Sequence, residues 1–141
     1  MGREAGNTVN TIDRISGTYA GAGTWHDAAG QSMAYRVVQT NRATEHGFDV
    51  SFTHDFDDGS VVNARFNMTW VAPFLFRVDV GGSPVGNGYL FDDYCHYHMK
   101  VGGAFVEASY RSMGDELEVY GSSTKNAAGQ YIAWKEALRR T

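Results

Sequence analysis

Between Phe48 and Phe56 the chain alternates without a break. Phe48, Val50, Phe52, His54 and Phe56 fall on one side; Asp49, Ser51, Thr53 and Asp55 fall on the other. Successive side chains of a strand project to opposite faces, so this period of two predicts a strand with one face on a core and one in water. Asp57-Asp58-Gly59-Ser60 then carries an Asp-Gly hairpin signal. Beyond it, Val62, Ala64, Phe66, Met68 and Trp70 alternate with Val61, Asn63, Arg65, Asn67 and Thr69. Pro73 breaks that run, and Phe74, Phe76, Val78 and Val80 are expected inward, with Arg77 and Asp79 outward.

The rest of the chain extends this pattern. Strands are predicted at 18–26, 32–40, 88–92, 94–101, 104–112, 116–123 and from Gln130 to about Leu138, besides 48–56, 60–71 and 74–80. The 17 glycines against two prolines supply tight turns between short strands. No helical period of useful length intervenes, which argues against parallel βαβ units. The expected fold is all-β: a single antiparallel up-and-down barrel of eight to ten strands, whose closure removes exposed edges. It is expected to span 17–141, after a mobile segment or short helical turn over 1–16 in which Val9, Ile12 and Ile15 could meet a barrel end.

Charge excludes several functions. Twelve Lys and Arg against 16 Asp and Glu give a net charge of −4, which speaks against nucleic acid and against an electrostatic membrane anchor. No apolar run approaches the roughly 20 residues of a membrane helix. The opening residues lack an apolar signal core, and Cys95 is the single cysteine. A cytoplasmic location is the expectation. A homodimer stays open.

The first strand reads Gly17-Thr18-Tyr19-Ala20-Gly21-Ala22-Gly23-Thr24-Trp25. This glycine-plus-aromatic opening resembles that of lipocalin-like (calycin) barrels, where Gly-x-Trp stands. In that family the Trp packs across the closed barrel end, and an Arg from the last strand lies over it. The resemblance therefore implies that Tyr19 takes the place of the Trp, and that Arg139 or Arg140 covers it. It also implies binding of a small hydrophobic molecule inside the barrel. The opening is similar, too, to that of nitrobindin-type haem barrels, ranked lower because no C-terminal histidine suits a haem iron. Nothing in the sequence calls for a cofactor.

Several residues carry candidate chemistry. His54 stands among phenylalanines, as a satisfied core residue or as a pocket donor whose pKa burial would lower. Tyr35, Phe52, Phe66, Trp70, Phe76, Tyr97 and Tyr110 are expected to line a cavity with it, since pockets are mostly apolar with few directed polar groups. Gly21 and Gly23 mark barrel curvature or space for a ligand. Glu136 shares a face with Ile132, Trp134 and Leu138; if that face is inward, it is a buried carboxylate in need of Arg139, Arg140 or a tyrosine. His96 and His98 form a His-x-His pair that could ligate zinc with His54 or Glu107. The face of Cys95, Tyr97, Met99 and Val101 is the more apolar one, which puts both histidines outside.

Two functions compete on these residues. One is binding of a hydrophobic or aromatic ligand inside the barrel. The other is a small barrel enzyme (an isomerase, cyclase or lyase) using the same cavity, with His54 and a tyrosine as acid–base groups. A solid barrel with function on its surface is a third.

Overall fold

The computed structural model describes residues 12–124 and 131–141. Ten antiparallel strands follow one another: β1 (Gly17–Asp27), β2 (Ser32–Ala43), β3 (Gly47–Phe56), β4 (Val61–Ala72), β5 (Leu75–Val80), β6 (Ser83–Phe91), β7 (Tyr94–Val101), β8 (Ala104–Met113), β9 (Glu116–Ser123) and β10 (Ile132–Arg140). Each pairs with the next, and β10 pairs with β1, so the sheet closes into one up-and-down barrel. No helix among the described residues is long and apolar enough to cross a membrane, a statement that bears on helices alone.

The barrel is filled at one end. Tyr19, Phe48, Met68, Phe76, Val78, Leu90, Leu117 and Leu138 are buried there. Each such side chain contributes about 1.5–3 kcal/mol by leaving water. Residues 12–16 make one hydrogen-bonded turn, with Ile15 and Ser16 N–H donating to the Ile12 carbonyl, and Ile12 and Ile15 are buried. The turn is fastened across this end: Asn41 Nδ2 donates to the Ile15 carbonyl at 2.8 Å, and Ser112 Oγ to that of Arg14 at 2.7 Å. Val9 and the polar stretch before it, and the expected turn Asn126–Gly129 with Gln130, lie outside the described residues.

Two local expectations are corrected. β6 begins at Ser83, not near Gly88. Its Pro84 pairs with Asp79 beside a register shift, Val78 opposing Gly86, so Val85 is the extra residue of a bulge. A bulge is where a strand tolerates proline. Phe74 is not an inward strand residue: it takes φ 70° in the turn before β5, and its ring stacks on Phe91 at 4.8 Å. Pro73 ends the β4 pairing, and the chain reverses through a left-handed residue.

Candidate functional site

The opposite end is hollow. A cavity of about 220 Å³ lies inside it, smaller than the ~300–1,000 Å³ common for ligand pockets. Trp25, Phe52, Phe56, Phe66 and Trp134 give it aromatic walls, and Met99, Val106, Ala108, Val119 and Ile132 fill the gaps between them. Polar atoms come from Tyr35, Gln39, His54, Tyr97, Tyr110 and Glu136, besides the indole N–H groups of Trp25 and Trp134.

Strand register explains how these polar groups meet. Tyr110 opposes Val119, Val119 opposes Glu136, Glu136 opposes Gly23, and Gly23 opposes Tyr35, one inward row across five strands. Within the row, Tyr35 Oη donates to Glu136 Oε2 at 2.8 Å. The bond passes over Gly23. A Cβ there would stand 2.6 Å from Glu136 Cγ and 2.7 Å from Tyr35 Cζ. Gly23 thus leaves room for the Tyr35–Glu136 bond rather than only bending the barrel. Gly21 marks a close approach of backbones, since a Cβ there would lie 2.1 Å from the Ala137 carbonyl oxygen.

His54 joins from the next strand, its Nε2 3.4 Å from Glu136 Oε2. Its ring stacks on Phe52 at 4.4 Å and leans on Tyr35 at 4.7 Å. Burial lowers its pKa to about 4, because the charged imidazolium loses water. Glu136 is 2% exposed. Burial raises its carboxyl to about 7, against the pull of the Tyr35 hydrogen bond. Between these two values both groups are neutral, and the 3.4 Å contact is no ion pair there. Tyr35 is raised by burial first and by Glu136 second. Among the described residues, Glu136 Oε1 is a buried polar atom with no hydrogen-bond partner.

A second polar station faces the same space. Tyr97 and Tyr110 hydroxyls are 2.5 Å apart, and burial raises the pKa of both. One phenol donates to the other, which leaves one O–H free to donate elsewhere. Gln39 is tied to Asn41, its Nε2 donating to Oδ1 at 3.0 Å.

Six of the eight expected lining residues (Tyr35, Phe52, His54, Phe66, Tyr97 and Tyr110) border the cavity. Trp70 and Phe76 do not. They pack on Phe48 at the filled end, with ring centroids 5.7 and 5.1 Å from it. Trp25, Phe56, Trp134 and Gln39 border the cavity without having been singled out for it, although each shares the inward parity of its strand. His96 and His98 face outward. His96 Nδ1 is 2.9 Å from Ser109 Oγ, His98 is exposed opposite Glu107, and no cluster of metal-ligating residues occurs among the described residues. Cys95 is buried, with its thiol pKa raised by burial.

At the filled end, Tyr19 is fully buried and the Arg140 guanidinium lies over its ring, 5.1 Å from the centroid. Arg140 Nη1 also donates to the Ser16 carbonyl. No family model matches the chain, and no curated protein sequence matches it. Solved structures do. An S-type phycobiliprotein lyase, CPES, from Guillardia theta has a TM-score of 0.72 at 12% identity, covering 92% of this chain and 89% of that one. Rv2717c from M. tuberculosis has a TM-score of 0.63 at 13% identity, over 92% and 94%. The fold is a lipocalin-like closed antiparallel barrel, shared with these structures. A redesigned β barrel, mFAP1, bound to DFHBI, has a TM-score of 0.50 at 12% identity, over 93% and 99%. The lipocalin-like barrel here holds its first aromatic under a last-strand arginine, as the resemblance implied for Tyr19.

Proposed function

We propose that this barrel binds a small aromatic molecule in the cavity at its Trp25–Trp134 end. The carrying observation is that the interior is hollow there and walled by aromatic rings, where an ordinary core would be filled. Phe52, Phe66, Tyr97 and Tyr110 contact the ligand, and His54, Tyr35 and Glu136 orient it. Two barrels of similar fold support the reading by what they are called: one a phycobiliprotein lyase, one bound to DFHBI. Native mass spectrometry of the purified chain, with a thermal-shift screen of an aromatic library, tests it. A ligand at a hundred times its Kd is expected to stabilise the fold by about 2.7 kcal/mol. A chain that carries nothing and is shifted by nothing in the library overturns the proposal.

A second reading rests on one observation, the contact of His54 and Tyr35 with a carboxyl whose pKa lies near neutrality. A carboxyl poised near the working pH can both take and give a proton. In an isomerase, cyclase or lyase built on this cavity, Glu136 and His54 would move the proton. His54→Gln and Glu136→Gln are then expected to abolish turnover at saturating ligand, a loss in kcat rather than in KM alone. Turnover unchanged in both variants removes this reading.

A further inference from the structure

The cavity carries one polarity. Glu136 from β10 meets Tyr35 from β2 and His54 from β3, while β7 and β8 bring Tyr97 and Tyr110. The strands directly beside it, β1 and β9, present Gly23 and Val119. No lysine or arginine among the described residues lines the space. Its one acid is already stripped of water by folding, and Oε1 has no partner in the fold. Aromatic faces carry negative charge density and attract cations.

Resting on the reading of this cavity as a ligand site, we propose that its ligand is an organic cation, a protonated aromatic amine. Its ammonium N–H donates to Glu136 Oε1, and its ring lies among Trp25, Phe52, Phe56 and Trp134. The carboxyl needs no further desolvation on binding, so the ammonium alone leaves water, and the ring faces and the ion pair offset that loss. A neutral ligand would leave Oε1 without a charge-matched donor. An anion would meet the carboxylate and the ring faces with like charge. The tyrosine pair's remaining O–H adds a donor for an oxygen elsewhere on the same molecule.

Three probes of matched shape test this on the full chain by isothermal titration calorimetry: naphthylmethylamine, naphthylmethanol and naphthoic acid. At about pH 8, where Glu136 is ionised, the amine is expected to bind about tenfold to a hundredfold tighter than the alcohol, the worth of a charge-assisted bond. Naphthoic acid is expected to bind weakest. Lowering the pH to about 6 protonates Glu136 and leaves the ammonium's charge unchanged, so the amine's advantage should shrink about tenfold while the alcohol's affinity holds. Glu136→Gln should remove the amine's advantage over the alcohol. The pH series on the wild type gives the same answer if that variant does not fold. An alcohol that binds as tightly as the amine overturns the cationic ligand and leaves the binding cavity standing. Failure of all three probes overturns both.

Discussion

Replacing Glu136 by glutamine tests the buried carboxyl through stability alone. The folded chain holds this proton with a pKa of about 7 against an ordinary 4.5. A raised folded value means that the native state binds the proton more tightly than the unfolded chain. Its stabilisation is complete below about pH 4.5 and is lost as the pH rises through about 7. At 1.36 kcal/mol per pH unit, the wild type forfeits about 2.5 kcal/mol between pH 5 and pH 8, which an amide cannot forfeit. The variant also leaves amide N–H groups short of partners, a pH-independent cost of about 1–3 kcal/mol. His54 has the opposite trend: its pKa falls from 6.5 to about 4, so its contribution is present above 6.5 and lost as the pH falls through 4. Wild type and variant share that trend, and the difference between them cancels it. Urea denaturation of both proteins at several pH values from about 5 to 8 should therefore show Glu136→Gln gaining about 2.5 kcal/mol on the wild type across the range. A difference that stays flat would place the carboxyl's titration at its ordinary value, and the burial argument for Glu136 would fall.

Three further outcomes are expected. Gly23→Ala puts a methyl 2.6 Å from Glu136 Cγ and should cost about 1–3 kcal/mol by overpacking; denaturant melts check the loss, and an unaffected stability contradicts the role given to Gly23. Tyr97→Phe and Tyr110→Phe each break the 2.5 Å hydroxyl pair and should cost about 1–3 kcal/mol, with the double variant costing less than the sum in a double-mutant cycle. Arg140→Met keeps the stem but loses the cation over Tyr19 and the bond to the Ser16 carbonyl, so hydrogen exchange at the Ile15 and Ser16 amides should accelerate by about tenfold, as a loss near 1.4 kcal/mol requires.

The barrel was readable because alternation reports face directly. Phe48, Val50, Phe52 and His54 declare which side is inward, and short glycine turns declare that neighbours in sequence are neighbours in space. Alternation does not report height along the barrel. Phe66, Trp70 and Phe76 share the inward face, yet Phe66 borders the cavity while the other two pack on Phe48. Their fate depends on how facing strands fill the cross-section, which no single strand encodes. The expected start near Gly88 and the expected inward Phe74 fail for local reasons: a bulge lets β6 run back through Pro84 to Ser83, and a left-handed turn takes up the phenylalanine. Glu136 could be suspected from its place between Trp134 and Leu138. Its partner could not be chosen, because the choice among Arg139, Arg140 and a tyrosine rests on the pairing of β10 with β1 and of β1 with β2.

That pairing has a kinetic corollary. Tyr35 and Glu136 are 101 positions apart, so their bond is absent from every partly zipped hairpin array and comes into being when the final strand seals against the first. Contacts of such long range form late and slowly. An aromatic guest that needs the carboxyl would thus recognise only the sealed cylinder, and its capture would mark, during refolding, the moment at which the seam closes.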